Sequence, residues 1–279
     1  MLEALVSTEW LAAELGAHDL LIFDASWYLP AEQRDARSQF DHAHIPGAQF
    51  FDIDTIADTQ SSLPHMAPTS AQFERQIAAL GVSNTSRVVF YDQKGVFSAA
   101  RGWWLMRLFG HASCAVLDGG LPKWHAEGRP VQTGASPTPQ AGAYRAALNA
   151  RRLRGIGDVL SNLKSADEIV LDARSADRFH ARVPEPRANL RGGHIPGSRN
   201  LPFTELLSSQ QTLLPPAQLR ARFESRGVDA GSSVITSCGS GLTAAVLNLG
   251  LEVAGLPMGA LYDGSWAEWG ACTDTPVDV

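Results

Sequence analysis

The stretch Ser232-Ser-Val-Ile-Thr-Ser-Cys238-Gly-Ser-Gly-Leu-Thr243-Ala-Ala-Val-Leu247 decides how the chain is read. A β-branched run ends at Cys238, and Gly239 and Gly241 follow within three residues. The apolar spacing then becomes helical, with Leu242, Val246, Leu249 and Val253 recurring. This predicts strand, tight loop, helix. The loop from Gly239 to Thr243 wraps its backbone N–H groups around the Cys238 sulfur, and the helix adds its positive N-terminal end. Such surroundings favour thiolate over thiol. Cys238 is therefore read as a nucleophile rather than as one more buried cysteine, the commoner fate of a free thiol.

Working outward, 279 residues suffice for two domains that each bury a core. A net charge of −6 and the lack of any block of like charges argue against a nucleic-acid binder and for small-molecule or protein partners. No apolar run approaches the ~18 residues of a membrane span, and the N-terminus lacks a basic region followed by an apolar one. The expected setting is cytoplasmic, with no membrane partner. Three cysteines, Cys114, Cys238 and Cys272, form no Cys-x-x-Cys pair and fit a reducing compartment. The eight histidines show no zinc spacing, and neither a Gly-x-Gly-x-x-Gly nor a Walker loop occurs, so no metal and no cofactor is expected.

Along the chain, spacing predicts a helix from Ser7 or Thr8 to Gly16, a strand over Leu20 to Asp24, and a loop from Phe40 entering a short strand near Ile53. A helix over Ser70 to Leu80 closed by Gly81, a strand over Arg87 to Asp92, a helix from about Ser98 to Phe109 and a strand over Cys114 to Leu117 follow. Composition then fails to carry a pattern from Pro130 to about Arg151, and Thr133 to Gln140 reads as linker. Beyond it the order restarts with Ile169 to Arg174, His194-Ile-Pro-Gly197, a helix near Pro216 to Arg226, and the strand into Cys238. His44 and His194 are 150 residues apart, Asp24 and Asp172 are 148 apart, and Asp118 to Asp263 and Trp124 to Trp269 are both 145 apart. Four landmarks in one order at a nearly constant offset indicate an internal duplication. The predicted fold class is α/β: two tandem domains, each a mainly parallel sheet flanked by helices on both faces. The expected boundaries are a first domain over 1–132 that lacks the cysteine, a linker over 133–152, and a catalytic domain over 153–279 carrying Cys238. Where the second copy has Thr236-Ser-Cys238, the first has Phe90-Tyr-Asp92, so one half is read as catalytic and the other as supporting it.

The repeated His-Ile-Pro-Gly, the Asp-Ala-Arg at 172–174, Asp118-Gly-Gly with Trp124, and a cysteine loop in the second copy alone resemble the rhodanese superfamily in its tandem form. Within it, Cys238-Gly-Ser-Gly-Leu-Thr243 is similar to the Cys-Gly-Ser-Gly-Val-Thr signature of the 3-mercaptopyruvate sulfurtransferase branch, Leu242 for Val being the one departure. The resemblance implies transfer of a sulfane sulfur from 3-mercaptopyruvate through a Cys238 persulfide to a thiol such as thioredoxin, or to cyanide, releasing pyruvate. It implies Arg178 and Arg187 as the forks that bind the donor, with Gly239, Gly241, Leu242 and Thr243 in the binding loop. It also implies a relay in which Ser240 meets the donor carbonyl, His44 stands behind it, and Asp35, or the nearby Asp41, orients the imidazole. Tyr91, Phe97 and Trp103 are candidate pocket walls, although aromatics are more often core. Cys114, inside a strand, reads as packing, and Cys272 has no partner motif.

Three readings compete. A cysteine phosphatase needs an arginine six residues past the cysteine, where this chain has Ala244. A thiosulfate sulfurtransferase typically carries Arg-Lys directly after the cysteine, where this chain has the uncharged Gly239 and Ser240. A non-catalytic carrier or regulatory module suits the first copy but not a second copy that holds both the cysteine and the arginines.

Overall fold

Alternating β-branched runs and amphipathic helices resolve into two parallel sheets in a computed structural model of the chain, which describes residues 2–136 and 138–279. The first half runs β1 (Leu5–Val6), α1 (Thr8–Glu14), β2 (Leu20–Asp24), α2 (Ala36–His42), β3 (Gln49–Phe50), α3 (Ser70–Ala79), β4 (Arg87–Tyr91), α4 (Ala99–Leu108), β5 (Cys114–Leu117) and α5 (Gly120–Ala126). The second runs β6 (Leu153–Arg154), α6 (Ile156–Ser165), β7 (Ile169–Asp172), α7 (Ala176–Phe179), β8 (Arg199–Asn200), α8 (Pro216–Glu224), β9 (Val234–Ser237), α9 (Leu242–Val253), β10 (Ala260–Tyr262) and α10 (Ser265–Trp269). The sheet orders are β1-β5-β4-β2-β3 and β6-β10-β9-β7-β8, the same order in each half, and every pairing is parallel. The predicted duplication is thus a duplication of topology.

Neighbouring strand residues point to opposite faces, so consecutive burial means that both faces are covered. Val88, Val89, Phe90 and Tyr91 are all buried in β4, and Val234 to Ser237 are all buried in β9. On one face of the first sheet, Ile22, Val89, Tyr91 and Ala115 pack with Leu11, Phe40 and Trp124 from helices. The central strands therefore end in rigid, dry surroundings, and the loops that follow them inherit that rigidity.

Local chemistry sets the helix ends. Ser7 Oγ accepts the Trp10 N–H at 3.2 Å and starts α1, while Thr69 caps α3. Helices α2, α5, α6, α7 and α10 escaped the sequence reading. The first starts at Asp35, whose carboxylate accepts the Ser38 N–H at 2.5 Å.

The chain forms two compact units, the first comprising residues to Thr59, Ala67–Asn149 and Ser209–Thr212, the second Gln60–Met66, Ala150–Ser208 and Leu213–Val279. Most of the segment expected as linker packs on the first unit: the N–H of Gly134 bonds Asp41 O at 2.6 Å, that of Ala147 bonds Phe109 O at 2.9 Å, and that of Asn149 bonds Leu108 O at 2.8 Å. Its polar composition hid these backbone bonds, which any sequence can make. Pro137 within it lies outside the described residues.

At the end of β2, Asp24 is buried and accepts the Ser26 N–H at 2.9 Å and Gln93 Nε2 at 3.0 Å. Burial pushes its carboxyl up to about 6. With the folded value above the unfolded one, the folded chain holds a proton that the unfolded chain releases between about pH 4 and 6, and stability falls as pH rises through that window. Asp24→Asn removes this loss. The stability difference between variant and wild type, from urea unfolding, is expected to move toward the variant by about 3 kcal/mol between pH 4 and 7. A difference independent of pH refutes it.

Candidate active site

Strand β9 delivers Cys238 at the carboxyl end of the second sheet, one residue beyond the Asp172–Ser237 register pair. The loop after it is pinned from below. The Cys238 N–H donates to Ser265 Oγ at 3.1 Å, and that hydroxyl donates to Tyr262 O at 2.8 Å. The N–H groups of Trp266 and Ala267 donate to the carbonyls of Cys238 and Gly239, both at 2.9 Å. Gly241 has φ +80°, a left-handed conformation that costs glycine nothing and turns its N–H back onto the sulfur. That N–H donates to Cys238 Sγ at 3.1 Å. Leu242 and Thr243 open the twelve-residue helix α9, whose N-terminus faces the same loop.

Burial does not separate Cys238 from Cys114, at 2% and 0% exposed. Hydrogen-bond direction does. The Cys114 thiol donates to His111 O at 3.3 Å, as a protonated packing cysteine does. The Cys238 sulfur instead accepts a backbone N–H from its own loop. Cys272 is partly exposed, and all three cysteines are free.

The arginines implied by the resemblance come together over this loop. Arg178, from α7, places Nη2 3.1 Å from where a Cβ on Gly239 would lie, and Arg187 Nη1 lies 3.8 Å from the same point. Arg187 Nη2 donates to Ser240 Oγ at 3.2 Å. The segment carrying Arg187 walls a cleft of about 510 Å³ that Glu185 also lines.

The residue facing Ser240 in the structure is His65, whose Nδ1 lies 3.1 Å from Ser240 Oγ and 3.2 Å from Ser240 O. His65 is buried, with φ +62°, an unusual conformation for histidine. His44 and Asp35, expected in the relay, make contacts of their own within the first unit. His44 Nδ1 meets Phe40 O at 2.8 Å, its ring stacks on Phe40 at 4.1 Å, and its backbone bridges Gln132. His194 repeats this: Nδ1 to Phe179 O at 3.0 Å, ring on Phe179 at 3.8 Å, backbone bridge to Asp278. A histidine with the same contacts in both halves serves the fold. Asp35 caps α2, and Asp41 pairs with Arg37 at 3.3 Å. His65 lies outside the repeated landmarks; the left-handed position it fills ahead of α3, at φ +62°, is filled ahead of α8 by Gln211 at φ +60°, so only the residue type differs. Tyr91 and Trp103 are buried in the first unit's core.

A rhodanese-like domain is recognised twice in the chain, over residues 7–127 and 156–272. The chain belongs to the rhodanese-like family. It is 40% identical over 274 residues to the 3-mercaptopyruvate sulfurtransferase of Escherichia coli K12, covering 98% of this chain and 97% of that one. It is 41% identical over 296 residues to the mitochondrial thiosulfate/3-mercaptopyruvate sulfurtransferase 1 of Arabidopsis thaliana, covering 99% and 78%. Among solved structures it is similar to SseA from Escherichia coli, described as a 3-mercaptopyruvate sulfotransferase, with TM-score 0.85, 38% identity and coverage of 95% and 99%. Among the described residues no cluster of metal-ligating side chains occurs, and no helix is long and apolar enough to cross a membrane.

In this rhodanese-like loop Ser265 is the backbone's anchor. Ser265→Ala leaves the buried Cys238 N–H without a partner and is expected to cost about 1–3 kcal/mol of stability, read as a lowered urea midpoint. An unchanged midpoint means that the anchor is dispensable.

Proposed function

We propose that the chain is a 3-mercaptopyruvate sulfurtransferase. The observation that carries this is the convergence of Arg178 and Arg187 over Gly239, beside a Cys238 sulfur that accepts a loop N–H. Two guanidinium groups outside a neutral loop suit a donor that carries a carboxylate at one end and its sulfur at the other. The Cys238 thiolate attacks the donor sulfur, the S–C bond breaks, and its electron pair leaves as pyruvate enolate. Cys238 retains the sulfur as a persulfide, and the donor's thiol proton ends on the enolate carbon. The Gly241 N–H and the α9 N-terminus stabilise negative charge on sulfur before and after transfer.

Ser240 stands beside the departing enolate in this scheme. It receives the Arg187 bond and faces His65, so its hydroxyl holds the donor's ketone oxygen while His65 exchanges the proton. An acceptor thiolate, from a dithiol protein such as thioredoxin or from a small thiol, or else cyanide, then attacks the outer sulfur and regenerates Cys238. Each half-reaction leaves a free enzyme form, so ping-pong kinetics follow. The first unit, with Asp92 in place of cysteine, supplies no nucleophile. The free cysteines fit a reducing setting, which we take to be the cytoplasm.

The deciding experiment compares kcat/KM for 3-mercaptopyruvate and for thiosulfate with cyanide as acceptor. The former is expected to be larger, and preference for thiosulfate overturns the donor assignment. Treatment with donor alone should add about 32 Da, one sulfur, to the wild type and nothing to Cys238→Ser; a serine variant that gains the mass excludes Cys238. Arg187→Ala, which removes one charge-assisted contact of about 1.5–3 kcal/mol, should lower kcat/KM for 3-mercaptopyruvate by about tenfold to a hundredfold.

A further inference from the structure

We propose that Glu185 is a positioning residue: it sets the direction of the Arg178 guanidinium and so the site's fit to the donor carboxylate. This rests on the function proposed above. Glu185 is a carboxylate with a side chain only 2% exposed, a costly place for a charge unless it is fully paired. Its Oε2 accepts Arg178 Nη2 at 2.5 Å, and its Oε1 accepts Arg178 Nε at 3.3 Å and Arg174 Nη1 at 2.8 Å. Both edges of the carboxylate are thus committed, one guanidinium to either side.

The far side of this ladder is anchored in the sheet. Arg174, with no exposed side-chain surface, holds Asp172 at the end of β7 through Nε at 3.0 Å and Nη2 at 2.6 Å. It also donates to Gly193 O at 2.9 Å and lies 4.2 Å over the Trp266 ring. Arg178, by contrast, is 21% exposed and reaches the loop at Gly239. The order Asp172, Arg174, Glu185, Arg178 therefore runs from a fixed buried end to a partly open end at the reacting loop. Pro184 and Pro186 flank Glu185 and restrict the backbone around it.

A second observation separates this ladder from general fold chemistry. In the first unit Asp24 occupies the place of Asp172, each ending the second strand of its half, and its carboxylate is met by Ser26 where Asp172 is met by Arg174. Phe40 and Phe179 correspond through their stacked histidines, so the position of Arg178 is held there by Gln39, which bonds Tyr28. The duplicated fold stands without the ladder in the half that has no nucleophile.

The test is a double-mutant cycle on Glu185→Gln and Arg178→Ala, read in kcat and KM with 3-mercaptopyruvate and with thiosulfate as donors. Glutamine keeps the volume, and Arg174 keeps Asp172, so the variant is expected to fold; urea unfolding checks this. Glu185→Gln alone should lower kcat/KM for 3-mercaptopyruvate by about tenfold, chiefly through KM, as loss of one oriented charge-assisted contact does. The double variant should be no worse than Arg178→Ala, because Glu185 has nothing left to orient. Losses that add, or a KM unchanged in Glu185→Gln, overturn the proposal. A wild type that ignores 3-mercaptopyruvate and uses thiosulfate defeats the donor assignment instead, and the coupling of Glu185 to Arg178 is then read with thiosulfate.

Discussion

A hydrogen-bond acceptor sits at the carboxyl end of the central strand in each half, because the chain turns sharply there and points backbone N–H groups inward at a buried spot. Leaving such donors unpaired costs as much as losing the bonds outright. In the first unit Asp92 meets the need permanently: its carboxylate accepts the N–H groups of Lys94 at 2.9 Å, Phe97 at 2.8 Å and Ala99 at 2.9 Å. Burial pushes this carboxyl up while those three N–H bonds pull it down. In the second unit the acceptor is the Cys238 sulfur, taking the Gly241 N–H. A carboxylate there can only be structural. In the function proposed above, a sulfur in the same place accepts a second sulfur and gives it away, with the Gly241 N–H facing it in both states.

The neutrality of the Cys238 loop follows from what lies over it. Arg178 and Arg187 already bring two positive charges to Gly239, and a Cβ there would lie 3.1 Å from Arg178 Nη2, so the guanidinium would have to shift. A cationic residue in the loop would meet both steric overlap and like charge. In the proposed function, recognition of the donor's carboxylate falls outside the loop, on the segment from α7 to Arg187, and recognition of its sulfur inside, on backbone. Glu185 belongs to the outer part: it offsets one arginine's charge while fixing that arginine's direction.

Fold class was legible because both halves obey the same local rules: β-branched runs, helical spacing, and glycines where the chain turns. Strand Leu20–Asp24 and strand Cys114–Leu117 coincide with their predicted bounds, and helix Ser70–Ala79 ends one residue early. What escaped lacks a local signature. Helix α2 begins at a capping Asp35 inside a polar stretch, and β1, β6 and β8 are two-residue edge strands defined by their partners rather than their composition. The packing of residues 138–149 on the first unit is made by backbone bonds, to which composition is blind.

The site was legible in the same uneven way, and the duplication explains the pattern. Repeated residues hold the fold together: His44 and His194 share one set of contacts, and Trp124 and Trp269 each donate their indole N–H to a backbone carbonyl of the segment that follows, Pro130 O at 2.7 Å and Pro276 O at 2.8 Å. A motif that appears twice, such as His-Ile-Pro-Gly, draws attention for that reason and is for that reason architectural. Residues that break the repeat are free to do chemistry. Cys238 replaces an aspartate, Arg174 stands where the first unit has Ser26, and His65 stands where the other half has Gln211. Both halves need the fold, whereas one nucleophile per chain suffices, so selection for chemistry acts on the differences between them. In a duplicated enzyme, subtracting one copy from the other is therefore a sharper guide to the active site than looking for what the copies share.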